Sequence, residues 1–296
     1  MKLGLGLYRG LLTPDNYQFA KQAGVTHLVV HLVDYFAGAE PALTSGPPTL
    51  GWGVTRNQDK PWTYEELAAI KREIEGNGLT WEAIENFDPS HWSDVLLDGP
   101  RKREQMEGLK RTIQAVGRAG IPIMGYNFSL AGVWGWTKGP WGRGGAKALV
   151  YDESAIDPQL PMPNGMVWNM VYDPDAPPGT VLPVTNDELW ERLRWFLSEL
   201  LPVAEENGVR LALHPDDPPT ERLRGTARLV NRPHKYQRML DLVPSPASAL
   251  EFCLGTLQEC SGDESVYDAI AHYGRQGKIG YVHSATCAGK CPITRL

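Results

Sequence analysis

The sequence has no run of about 18 apolar residues, the length a helix needs to begin crossing a bilayer. It also lacks a basic tract, and its formal net charge is -6. Both argue against an electrostatic grip on nucleic acid or anionic lipid. No glycine fingerprint of the GxGxxG type follows the first apolar run, which disfavours a dinucleotide-binding fold. Cysteine is scarce: Cys253, Cys260, Cys287 and Cys291 are all there are. Crowded towards one end of the chain, they suggest no disulfide framework and fit a reducing compartment, the cytoplasm. The opening stretch, MKLGLGLYRG, is a glycine-broken apolar run closed by Arg9. It reads as a first strand rather than a secretion signal.

What the sequence does contain is ordinary globular material, 42% apolar and 22% charged over 296 residues. That is enough for one large α/β barrel or two smaller domains. Short apolar runs at 3–8, 26–32, 79–86, 121–128, 209–214, 248–253 and 278–283 read as strands. Helical signals lie between them. Thr13 before Pro14 is an N-cap with proline at the first helical position, and Gly24 closes that helix. Thr63-Tyr64-Glu65-Glu66 and Thr185-Asn186-Asp187-Glu188 both read as capping boxes. Met106, Leu109, Ile113 and Val116 recur at helical spacing, as do Leu189, Leu193, Phe196, Leu197 and Leu200.

Apolar strands alternating with helices imply a parallel sheet under a helical layer. Seven strands suggest an α/β fold of the (β/α)8 TIM-barrel type, one domain over 1–296. Only SATCAGKCPITRL follows His283, so the eighth β/α unit is expected to be missing and residues 284–296 to form an atypical tail. Residues 129–186 break the rhythm. Rich in Gly, Pro and Trp after the fourth strand, they read as a lid or substrate loop, with packing against a neighbouring subunit as the alternative.

In a barrel, the carboxyl ends of the strands form the active face. Here the fifth strand ends at His214, the sixth at Cys253 and the seventh at His283. Imidazole and thiolate suit a transition-series divalent ion better than Ca2+. Singly, a strand-end histidine is more often a hydrogen-bonded loop residue, and a lone cysteine a small buried hydrophobe. Their common topological position favours a metal centre. Asp216 and Asp217 follow closely as ligand, partner of the histidine or base, unless they are turn residues. Glu251 shares the face of Cys253 by the strand period of two and reads as an outer partner of the metal or half of a salt bridge. Glu85, Asn86, Tyr126 and Asn127 end the third and fourth strands and suit a polyol. Arg9, Arg143 and Lys147 are cations for a substrate carboxylate. His283, Cys287 and Cys291, spaced four apart, make a weaker zinc pattern that Gly289 and Pro292 interrupt.

Taken in order, RTIQAVGRAGIPIMGYNF, LALHPDDPP, LEFCLGT and GKIGYVH resemble the mannonate dehydratase family. The stretch WTYEELAAIKREIEGNGLTWEAIEN is similar too. The resemblance implies a TIM barrel related to xylose isomerase, acting as a hydro-lyase that converts D-mannonate to 2-keto-3-deoxy-D-gluconate in hexuronate breakdown. It implies Mn2+, or Fe2+, held by His214, Cys253 and His283. Read from the residues themselves, Asp216 and Tyr126 are expected in pocket roles in catalysis, and Arg9, Glu85, Asn127, Arg143 and Lys147 in contact with the substrate. The partner is then a small sugar acid, with no nucleic acid or membrane and with homo-oligomerisation open. After its VH element the family carries a fourth, acidic ligand, which SATCAGKCPITRL does not match. Two alternatives stay open: a sugar isomerase or epimerase with Glu85 and Glu251 as ligands, and an inactive incomplete barrel.

Overall fold

The structure, a computed structural model, describes residues 2–35, 53–55, 60–260 and 265–284. All seven expected strands form within their expected bounds. They are β1 (Gly4–Tyr8), β2 (His27–His31), β3 (Thr80–Glu85), β4 (Ile123–Tyr126), β5 (Arg210–Leu213), β6 (Ser248–Cys253) and β7 (Ile279–His283). They pair in parallel, in chain order from β1 to β7. Among the described residues no further strand joins β7 to β1. Beyond Ser284, the tail expected at 284–296 lies outside the described residues, and Cys287 and Cys291 with it.

The helices are α1 (Pro14–Gln22), α2 (Tyr64–Gly76), α3 (Pro89–Leu97), α4 (Lys102–Arg118), α5 (Asn186–Glu206), α6 (Lys235–Leu242), α7 (Leu254–Glu259) and α8 (Val266–Arg275). Thr13 caps α1, its Oγ1 accepting from the Asn16 amide at 3.4 Å. Gly24, with φ +79°, makes the left-handed exit that a side chain would resist. The box at Thr185 is complete: Thr185 Oγ1 accepts from the Glu188 amide at 3.3 Å, and Glu188 Oε2 accepts from the Thr185 amide at 2.8 Å. At Thr63 only half of the box forms. Thr63 Oγ1 accepts from the Glu66 amide at 3.2 Å, but the Glu66 carboxylate pairs with Arg9 instead. A guanidinium within reach outcompetes a neutral amide.

The periodic apolar residues of α4 and α5 are buried against the outer face of the sheet. The inner face follows the period of two and builds in layers. Its floor is small and apolar, with Ala83, Ile123, Ala212 and Ala249 packed beside Val29 and Tyr281. One step towards the carboxyl ends stand His31, Glu85, Gly125 and Glu251. The next step reaches Asn127, His214, Cys253 and His283 at the rim.

The segment 129–186 holds two short hairpins, Trp136–Gly139 with Ala148–Tyr151 and Met166–Val167 with Met170–Val171. It is packed rather than loose. Ala131, Trp134 and Tyr151 cluster with Leu223, and the Trp168 ring lies 5.2 Å from that of Tyr35, just past β2. Buried Arg224 fastens it, donating to the carbonyls of Leu160 at 3.2 Å and Pro161 at 3.1 Å. The Arg224 guanidinium also lies 4.7 Å from the centre of the Trp134 ring.

Candidate metal centre

The register sets the site before any side chain is considered. Cys253 pairs directly with His283 across β6 and β7. Leu213 pairs with Leu250 across β5 and β6, so His214 starts the next row, beside Glu251. One ligand atom from each of His214, Cys253 and His283 lies within 4.8 Å of the other two. A second group overlaps the first: Glu85, Glu251 and His283 also offer atoms within 4.8 Å of one another.

The imidazole of His214 is fixed by main chain. Its Nδ1 lies 2.6 Å from the Pro215 carbonyl oxygen. That nitrogen donates, so Nε2 is the atom that can turn a lone pair to an ion once its proton is displaced, the arrangement that metal-binding histidines adopt. Asn127 Nδ2 donates to the same carbonyl at 3.4 Å. Thr256 Oγ1, on α7, donates to Cys253 Sγ at 3.2 Å, and it also lies 3.3 Å from Asp217 Oδ2.

The electrostatics suit this geometry. Burial alone would raise the Cys253 thiol, but His214 and His283 beside it bring it well below its ordinary range. Burial alone would lower His214, yet Glu251 and the thiolate carry it well above. His283 is raised to about 9, chiefly by its hydrogen bond with Cys253. Without an ion the trio is therefore a thiolate between protonated imidazoles. A metal must displace those protons to bind. The Cys253 proton is held far less tightly than in an ordinary thiol, so the imidazoles dominate the pH dependence. Apparent metal affinity is expected to rise by roughly tenfold per pH unit for each proton displaced, up to about 9, where His283 becomes neutral. Chelator-competition titrations across that range check this; an affinity flat between pH 7 and 9 would sink the assignment.

Other expected site residues divide. Glu85 is in the lumen, its Oε2 3.3 Å from His31 Nε2. Asn127 is buried at the rim, its Oδ1 without a partner. Asp216 and Tyr126 need correction as catalytic groups. Asp216 is spent on structure: its Oδ2 accepts from the amides of Leu229 at 2.7 Å and Val230 at 2.8 Å, and its Oδ1 is 3.4 Å from Arg228 Nε. The adjacent Asp217 instead faces the cluster. Its Oδ1 is buried without a partner, and burial, then the Cys253 thiolate, raise it to about 6. Tyr126 points away from the lumen, its ring 5.2 Å from Phe196 of α5. Gly125 takes the inward position, so alternation forces the next side chain out.

Arg9 is held by Glu66 and, with Lys60, lines a cavity of about 460 Å³ that none of the trio borders. Lys147 is exposed on the long insertion, and among the described residues no hydrogen bond or ion pair joins it to the cluster. The Arg143 side chain lies outside the described residues. Sequence reasoning missed His31 and Arg228. His31 ends β2 as His283 ends β7, so the strand-end criterion applied to the last three strands would have found it. Arg228 carries no local signal.

A parallel barrel sheet with a His–Cys–His cluster at its carboxyl rim defines a TIM-barrel protein with a candidate divalent-metal centre. The chain belongs to the D-mannonate dehydratase (UxuA) family, whose model matches residues 20–288. The resemblance seen in the motifs is thereby borne out. Mannonate dehydratase 2 of Halalkalibacterium halodurans is 31% identical over 232 residues, covering 75% of this chain and 66% of that protein. Mannonate dehydratase of Thermotoga maritima is 28% identical over 240 residues, covering 75% and 65%. The chain thus spans just under two thirds of the length of these curated relatives. The crystal structure of mannonate dehydratase from Streptococcus suis serotype 2 superposes with a TM-score of 0.70 at 22% identity, over 96% of this chain and 74% of that one. A 3-keto-D-glucoside 4-epimerase from E. coli shares the fold at a TM-score of 0.53 and 12% identity, over 96% and 79%. Among the described residues no helix is long and apolar enough to cross a membrane.

Proposed function

We propose that this chain catalyses the metal-dependent dehydration of D-mannonate, or a closely related sugar acid, to 2-keto-3-deoxy-D-gluconate, a step of hexuronate breakdown in the cytoplasm. The observation that carries the reading is the convergence of His214, Cys253 and His283 in a chain of this family. The donor set fits Mn2+ or Fe2+: two imidazoles and a thiolate suit a borderline ion and leave positions open for substrate oxygens. When bound, the ion supplies Lewis acidity for the negative charge that develops on the acid as its C2 proton leaves.

The chain's own residues supply the rest. The Pro215 carbonyl holds His214 in its tautomer. Asp217, with its free Oδ1 and a raised affinity for protons, is the group beside the cluster that can carry a proton near neutrality. It takes over the role first given to Asp216. The C2 proton passes to Asp217, the C3 hydroxyl takes up a proton and leaves as water, and the enol left behind ketonises as its hydroxyl proton is lost and C3 gains one. Asn127, at the rim with a free Oδ1, is the residue we assign to substrate hydroxyls, with Glu85 one layer below it. The segment 129–186 acts as a lid over the β2 and β3 side of the mouth, where Trp168 already meets Tyr35.

The test is to incubate the purified chain with D-mannonate and Mn2+ or Fe2+, and to follow the product by mass spectrometry. A 2-keto-3-deoxy acid, one water lighter than the substrate, is expected, and chelation should abolish it. A product of unchanged mass would point to isomerisation and overturn the reading.

A further inference from the structure

We propose that the barrel holds a second cation position, formed by Glu85 and Glu251 and bordered by His283, deeper in the lumen than the His–Cys–His centre. Its occupant is a hard divalent ion such as Mg2+ or Mn2+. The inference shares His283 with the first centre but does not depend on which sugar acid is turned over.

The carboxylates set the problem. Glu251 is fully buried, and neither of its oxygens makes a hydrogen bond of good geometry. The Tyr281 hydroxyl lies against Glu251 and interacts with it, but without a hydrogen bond of good geometry. Glu85 presents its own carboxylate to the same space, within 4.8 Å of the Glu251 and His283 donor atoms. Among the described residues no lysine or arginine pairs with either; Glu85 has the His31 imidazole beside it, and burial disfavours a proton on that ring. Two buried carboxylates facing each other repel, and the imidazoles of His214 and His283 and the Tyr281 hydroxyl offset this only in part. The salt bridge that sequence allows for Glu251 is not formed.

The wall of this space is also cut away. β4 contributes Gly125 at the level of the two acids. A Cβ there would meet Tyr281 Oη at 2.5 Å and Glu251 Oε2 at 2.9 Å. Only a bare backbone leaves both groups where they are. The donor set differs in kind from the first centre. Two carboxylates beside an imidazole suit ions that prefer oxygen, whereas the thiolate trio suits softer ones. An imidazole has two ring nitrogens, so His283 can border both positions.

The experiment counts Mn2+ per chain at equilibrium for the full chain and for Glu251→Gln, Glu85→Gln and Cys253→Ala. In parallel, Co2+ is titrated, whose thiolate absorption band reports the first centre alone. Circular dichroism confirms that each variant is folded. Two Mn2+ in the wild type are expected. Either glutamine variant should lose one while keeping the thiolate band, and Cys253→Ala should keep one while losing the band. A single Mn2+ in the wild type and in both glutamine variants, with the band intact, would overturn the proposal: the acids would then be sharing a proton. If the band never appears but one Mn2+ binds and is lost in Glu251→Gln, the first centre is wrong and this one stands.

Discussion

Replacing Cys253 by alanine is expected to strip the His–Cys–His centre of its metal and to cut turnover of the sugar acid by roughly three orders of magnitude, the effect of removing charge stabilisation from a developing anion. The thiolate is the only anion of the trio, and it keeps His214 and His283 from repelling each other. Alanine removes the donor and the counter-charge together. Cys253→Ser keeps the shape but presents a hydroxyl that stays protonated, so it should behave like the alanine variant rather than the wild type. A second readout needs no substrate. The hydrogen bond to Cys253 is the main reason that His283 titrates at about 9, so in the metal-free variant its titration, followed by NMR, should fall back towards the ordinary imidazole range. Full metal content and unchanged turnover in Cys253→Ala would remove the centre from the mechanism.

The largest effect on stability is expected from Arg228→Met. Arg228 is completely buried, and its guanidinium joins two segments. It donates to Ser129 Oγ at 2.6 Å and the Gly132 carbonyl at 2.8 Å, at the start of the insertion. It reaches the Pro218 carbonyl at 3.2 Å and lies 3.4 Å from Asp216, both in the loop after β5. Methionine fills similar volume but leaves Asp216 buried without its counter-charge. Breaking a buried pair from one side costs about 3–5 kcal/mol, and urea denaturation should show a loss of that order. The double variant Arg228→Met with Asp216→Asn removes both charges and should recover part of it, because the two residues act as one unit. A loss below about 1 kcal/mol in the single variant would show that water or another group replaces the guanidinium.

Much of the fold and the centre of the site were legible in the sequence. Strand ends can be read where an apolar run stops, and His214, Cys253 and His283 each stop one. Helix starts could be read from Thr13 and Thr185, because a cap is a local contact. The half-formed box at Thr63 shows the limit. Its glutamate went to Arg9, a partner 57 residues away that only the folded sheet brings near. The same limit explains Tyr126 and Asp216. Which of two adjacent residues faces the lumen depends on the phase of the strand in the barrel, and the sequence does not print that phase. Asp217 was visible beside Asp216, but Arg228 and the amides of Leu229 and Val230 decide between them, and they are set by tertiary packing. Glu85 and Glu251 meet across a barrel whose strands β3 and β6 are not neighbours, so no local pattern announces their approach.

The main-chain hold on His214 has a genetic consequence. The acceptor for its Nδ1 is the carbonyl of Pro215, and every amino acid carries a carbonyl. No substitution at position 215 deletes that group; it can only be moved by reshaping the loop. The orientation of this donor is therefore buffered against single-nucleotide change in a way that a carboxylate orienter would not be. An alanine scan of the loop would pass over the atom that aims the histidine. Detecting its contribution calls for backbone chemistry, such as an ester in place of the peptide bond after Pro215, which weakens the acceptor, leaves every side chain untouched and removes only the Asp216 N–H bond to the Val230 carbonyl besides.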